Sequence, residues 1–158
     1  VWSVQDAIAL AQSFRQTEVE GSQAKFFIAF VNGYAADEAG NANQSVIGFS
    51  VSGTTTILMF KDVIRGTGSF PNGPVPKFVE QSTLVHEVAH ALGFVNNGLP
   101  LKSSHQDVGH GKHCTNTNCV MFYLNEGKSD LANFVQQFIV SGNAVMFGNE
   151  CLQDSQGF

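Results

Sequence analysis

Charge is scarce in this chain of 158 residues: Asp, Glu, Lys and Arg make up only 13% of it, with Lys and Arg numbering 8. The formal net charge is −5, so no basic footprint awaits a phosphate backbone, and no nucleic-acid partner is expected. Long apolar runs are missing too. None reaches the ~18 residues that a membrane-spanning helix needs, so no transmembrane segment is expected. No internal repeat, linker or second-domain boundary is visible, and the length suits one domain with a genuine core. No secretory signal is visible, and the start at Val1 without Met reads as a processed or trimmed piece. Cysteine is limited to Cys114, Cys119 and Cys151, an odd count that leaves at least one unpaired in a monomer. The expectation is a monomer that is secreted, periplasmic or anchored at the cell surface. What is plentiful is glycine (16) and phenylalanine (14), which suggests loop-rich connections around an aromatic core.

Ser3 to about Glu18 reads as an amphipathic helix opened by a capping box, Ser3-Val4-Gln5-Asp6 with Asp in place of Glu. Lys25 to Val31 is a short apolar run between turn signals, the pattern of a buried strand. Ala35 to Gln44 is small and polar and reads as an exposed loop or short helix. Val46 to Val51 and Thr54 to Phe60 read as neighbouring strands across Ser52-Gly53. An exposed strand here is a place where an extended peptide could add to the sheet. The Gly- and Pro-rich stretch from Gly66 to Pro76 leads into a helix from about Lys77 to Phe94. Asn96 to Asn118 has no apolar periodicity and reads as a long irregular loop, of the kind that often carries function. Cys119 to Leu124 is apolar again, and Asp130 to Val140 reads as a last helix.

The helix from Lys77 contains Val85-His86-Glu87-Val88-Ala89-His90-Ala91-Leu92-Gly93. Two histidines four residues apart share one helix face, so both imidazoles can reach one metal ion. Glu87 lies roughly 100° further round the helix, from where a carboxylate can reach a water on that metal. This is the H-E-x-x-H arrangement of a zinc hydrolase: two ligands and a general base. A catalytic zinc usually takes three protein ligands and keeps one position open. By chemistry alone, His105, Asp107, His110, His113 or Glu126 could supply the third. Cys114 and Cys119 are close enough in sequence for a disulfide loop, and could equally bind metal or stay as thiols.

The stretch from Val85 to Gly93 resembles the metzincin clan of zinc peptidases, whose longer signature is H-E-x-x-H-x-x-G-x-x-H. Asn96 stands where that signature has its third His, and a neutral amide is a poor zinc ligand beside imidazole. Further on, His113-Cys114-Thr115-Asn116-Thr117-Asn118-Cys119-Val120-Met121 is similar to the H-C-x4-C-x-M segment of archaemetzincins. Phe94-Val95-Asn96-Asn97-Gly98 is similar to a stretch in metzincin-like peptidases of bacterial secreted proteins and lipoproteins. The resemblance implies that His113 is the third zinc ligand, with His105 the main alternative, and that an insertion separates it from the helix. It implies that Met121 is the Met of a Met-turn below the zinc, and that Tyr123 binds zinc or supports an oxyanion. Archaemetzincins bind a second zinc with a later C-x-x-C pair. This chain has only Cys151 beyond Cys119, so no second site is expected, and Cys114 and Cys119 become a disulfide pinning the loop. Asp107 is a candidate to orient a ligand His.

The implied fold is α+β, of the α/β/α-like metzincin kind. A twisted mixed sheet with a backing helix and an active-site helix forms an upper part over about residues 1–93. An irregular lower part with a C-terminal helix follows over 94–158, all in a single catalytic domain. The implied function is a zinc-dependent metalloendopeptidase acting on peptide or protein substrates, with Glu87 as general base. The competing reading is a metal-binding module that no longer cuts and serves adhesion or regulation. A rival pattern, Asn125-Glu126-Gly127-Lys128-Ser129-Asp130, is similar to the N-E-x-x-S-D of thermolysin-like enzymes. Its spacing from His90 is longer than in that family, and Gly127 weakens the helix that the motif needs.

Overall fold

The computed structural model describes residues 1–15, 24–69, 75–125, 131, 135 and 146–156. Helix α1 (Val4–Phe14) opens with the expected capping box: Asp6 N–H donates to Ser3 Oγ at 3.1 Å, and Ser3 N–H donates to the Asp6 carboxylate at 2.8 Å. It ends sooner than its periodicity suggested, because Arg15 already has extended backbone (φ −72°, ψ 126°).

Strand β1 (Phe27–Val31) follows, then a small hairpin of β2 (Ala35–Ala36) and β3 (Ala42–Asn43), then β4 (Gly48–Ser50) and β5 (Thr56–Phe60). The hairpin stands where a loop or short helix was expected. Its strands are two residues long and made of Ala and Asn, which carry little strand propensity. The main sheet is mixed, in the order β1-β5-β4: β5 pairs in parallel with β1 and antiparallel with β4. All five residues of β5 are buried. Successive side chains of a strand point to opposite faces, so both faces of β5 are covered. Helix α1 packs on it, and so does α3 (Val75–Ala91). Between β5 and α3 lies α2 (Lys61–Gly66), a single short helix that the apolar periodicity did not reveal. An ion pair from Lys61 to Glu80 ties α2 to α3. The fold is α+β, and its main core gathers around Ile47, Ile57, Leu58, Met59, Phe60, Val63, Ile64 and Val79.

After α3 the chain is held by short pieces. Strands β6 (Gln106–Asp107) and β7 (His113–Cys114) pair antiparallel, with Asp107 opposite His113 and Gln106 opposite Cys114. A 3-10 turn follows at Tyr123–Asn125, and α4 (Asn149–Ser155) forms in the polar stretch after Gly148. Of the helix expected over 130–140, only Leu131 and Val135 are described; both are helical and buried. A second, smaller core joins Ala89, Phe94, Val95, Leu99, Val120 and Met121 to the three cysteines.

Candidate metal centre

The buried stripe of α3 runs through Val79, Ser82, Thr83, His86, Glu87 and Ala89, the i, i+3, i+4, i+7 spacing of one helix face. Its character changes along the helix, from Val79 against the main core to His86, fully buried, and Glu87, 3% exposed. His90, half-buried, extends the stripe by one turn. The helix stops at Ala91, and Gly93 turns the chain out of it with φ +92°. Only glycine fits there comfortably, since a Cβ would also meet the Leu99 nitrogen at 3.1 Å. Val95 and Asn96 continue in the left-handed region, at φ +52° and +59°. That conformation is costly for a β-branched residue. Asn96 ends up on the surface, its amide donating to Gln106 Oε1 at 3.0 Å, and takes no part in the histidine cluster.

The excursion through the loop brings β7 back beneath α3. His86, His90 and His113 meet there. Their Nε2 atoms form a triangle with sides of 3.0 Å (86–90), 3.3 Å (90–113) and 3.3 Å (86–113). The rings of His86 and His113 lie nearly parallel (19°), and His90 stands edge-on to both. His86 and His113 each have a fixed proton position. His86 Nδ1–H donates to the Val120 carbonyl at 2.7 Å, and His113 Nδ1–H donates to the His110 carbonyl at 2.5 Å. A carbonyl only accepts, so each ring turns an Nε2 lone pair towards the shared point. Lone pairs that converge in this way repel one another unless a cation shares them. A tetrahedral ion with bonds of about 2.0–2.1 Å would separate its nitrogens by about 3.3–3.4 Å, close to the observed triangle. The donor set fits a metal ion.

The other residues singled out in the sequence fall into place around this triangle or away from it. Met121 is fully buried, and its carbonyl accepts from Cys114 N–H at 2.8 Å, one residue after His113. It sits in a turn closed by Phe122 N–H to the Cys119 carbonyl, and the same turn presents the Val120 carbonyl to His86. Tyr123 stacks flat on His110, with centroids 3.7 Å apart and planes 5° apart. His110 is half-exposed and pairs through Nδ1 with the Asp107 carboxylate at 2.7 Å. The Asp107 carboxylate thus holds His110, whose backbone carbonyl holds His113, the residue opposite Asp107 across the β6–β7 pair. Glu126 lies outside the described residues.

His105 does not join the triangle. It is buried in a second cluster with Cys114 and Cys151, whose ligand-type atoms all lie within 4.8 Å of one another. Its Nδ1 lies 3.4 Å from Cys114 Sγ and 4.0 Å from Cys151 Sγ, and Cys119 Sγ lies 3.5 Å from Cys151 Sγ. Cys114 and Cys119, expected as a disulfide, are not joined to each other, nor is either joined to Cys151. The three share protons unequally. Hydrogen bonds from the Cys114 and Cys151 thiols hold Cys119 down to about 3, helped by the amides of Gly148 and Met121. Donation to Cys119 pushes Cys114 up to about 11, and hydrogen bonds to Cys114 and Cys119 push Cys151 up as well.

Several partners had no local signal in the sequence. The Val120 and His110 carbonyls are backbone groups, and Asp154, which bonds His105 Nε2 at 2.7 Å, lies 49 residues from it. The one available clue was an odd cysteine count beside a His-rich loop. No protein-family model, curated protein or solved structure matches the chain.

Proposed function

We propose that the chain is a zinc-dependent metalloendopeptidase of metzincin type. The observation that carries this reading is the convergence of the His86, His90 and His113 Nε2 atoms beside buried Glu87. Those three residues would hold the ion, leaving a fourth position without a protein ligand, as catalytic sites do. When bound, zinc supplies Lewis acidity, polarising a carbonyl and making water a better acid. Glu87 is the general base: its carboxylate takes a proton from the attacking water and passes it to the leaving amine nitrogen. Burial of the centre keeps bulk water from competing for that proton. The Tyr123 hydroxyl supports the charge that develops on the carbonyl oxygen, its ring held in place by stacking on His110.

The substrate is taken to be an extended peptide. Among the described residues β4 is an edge of the sheet, antiparallel to β5, and it packs on α3 near Thr83, three residues before His86. Its outer backbone groups suit strand addition. The test is hydrolysis of a peptide library by the wild type and by Glu87→Gln. The variant is expected to bind one catalytic zinc as before, with kcat down by about 10²–10⁴. Wild-type protein that is loaded with zinc yet cleaves nothing would leave a metal module for adhesion or regulation; full activity in the variant would remove Glu87 from the mechanism.

A further inference from the structure

We propose that His105, Cys114, Cys119 and Cys151 bind a second zinc ion at a closed, structural site that fixes the strand carrying His113. All four residues are at most 3% exposed. Tetrahedral zinc with bonds of about 2.3 Å to sulfur and about 2.0–2.1 Å to nitrogen separates sulfurs by about 3.8 Å and nitrogen from sulfur by about 3.6 Å. The cluster has 3.5 Å between the Cys119 and Cys151 sulfurs, with His105 Nδ1 at 3.4 and 4.0 Å from those of Cys114 and Cys151.

The surroundings are those of thiolate ligands. Backbone N–H groups of Asn116, Met121 and Gly148 point at sulfur: the first at Cys114 (3.4 Å), the others at Cys119 (3.4 and 3.2 Å). Gly148 can come this close because it has no side chain; a Cβ would lie 2.7 Å from Glu150 Oε2 and 2.8 Å from Asn116 Nδ2. His105 is oriented from behind. Its Nε2–H donates to Asp154, fully buried, whose other oxygen accepts Lys102 N–H at 2.7 Å. This is the carboxylate–histidine arrangement that turns a ring's second nitrogen towards a metal. It also leaves a carboxylate buried beside three sulfurs, and a cation balances that charge. A disulfide would use two sulfurs and leave the third sulfur and the imidazole without a role. Binding releases the thiol protons to solvent and changes no oxidation state.

Four protein ligands leave no open position, so the site does no chemistry of its own. Its effect is positional. His113 and Cys114 are neighbours on β7, and neighbouring strand residues point to opposite faces. One face serves the histidine triangle and the other serves the sulfur cluster. The ligand set draws on the inserted loop and on α4, which is how the site forms without a later C-x-x-C pair.

The test counts metal in the full chain produced with zinc. Two zinc ions are expected in the wild type and in Glu87→Gln, and one in the His86→Ala/His90→Ala variant. Loaded with cobalt(II), that double variant is expected to show the near-ultraviolet charge-transfer band of thiolate ligation. Cys151→Ser is expected to lose the second ion and to hold the remaining one about 10–100-fold more weakly in chelator competition. Should Cys151→Ser fail to fold, the double variant decides. One zinc per wild-type chain, no thiolate band in the cobalt-loaded double variant, or a native mass showing a disulfide would each overturn the proposal. Two zinc ions without peptide cleavage would leave it standing and remove the peptidase reading, on which it does not depend.

Discussion

Before Gly93, a strand of five buried residues runs through a mixed sheet with helices packed on it; after Gly93, two-residue strands, tight turns and left-handed residues hold the chain. The larger core is made mostly of branched aliphatic and aromatic side chains from the first region, joined by Leu131 and Val135; the smaller, mostly from the second region, is one in which the three cysteines and Met121 are prominent. The difference is one of means. Among the described residues the smaller core is short of apolar side chains; where burial alone does not offset conformational entropy, small domains recruit metals or disulfides. The histidine triangle stands at the junction, two histidines from the helix of the first region and one from the second. Its geometry is only as good as the less apolar side allows.

On the function proposed above, the contrast breaks most visibly on removing metal. Chelation is expected to abolish peptide cleavage and to strip hydrogen-exchange protection from residues 99–122, while β1 and β5 stay protected. Equal loss of protection in both regions would mean that they form one cooperative unit. A smaller effect is expected from Leu58→Ala in the centre of β5, where the side chain is fully buried. It should cost about 2–5 kcal/mol, and the loss measured by denaturation should be the same with and without zinc. A zinc-dependent loss would show that the sheet and the metal sites are coupled.

The least effect is expected at the far end of the first region. Ser3→Ala removes the cap of α1 and should cost about 1 kcal/mol. It should also change the acid limb of the stability curve. Hydrogen bonds from the Ser3 backbone and side chain hold the Asp6 carboxyl below its ordinary value of 3.8. A carboxyl whose pKa is lowered in the folded state adds stability above its unfolded value and loses it as pH falls through the folded value. The variant should therefore lose less stability than the wild type on acidification below 3.8, and thermal melts across that range would show it.

Much of the first region was legible in the sequence because its signals are local. The Ser3 cap, the apolar runs of β1 and β5, and His86 and His90 four residues apart each declare themselves within a few positions. α2 escaped because Lys61–Gly66 is too short for a period to show and follows directly from a strand. The hairpin at Ala35–Asn43 escaped because its composition is that of a loop. In the second region the partners are distant. His113 is marked only by the segment that follows it, and the group that orients its ring is the His110 backbone carbonyl, which has no sequence signature. The loop His105, the α4 Cys151 and Asp154 come together only when the chain folds, and no periodicity announces them.

The position of Cys151 and Asp154 after His113 in the sequence bears on the order of events in synthesis. Chains fold from the N-terminus as they emerge. The sheet, α3 and its two histidines leave the ribosome first, His113 follows, and α4 comes well after. On the reading proposed here, a nascent chain that already carries every residue of the hydrolytic centre still lacks the helix that steadies the last ligand. On that reading, sequence order acts as a timer, delaying a competent peptidase until translation has passed α4.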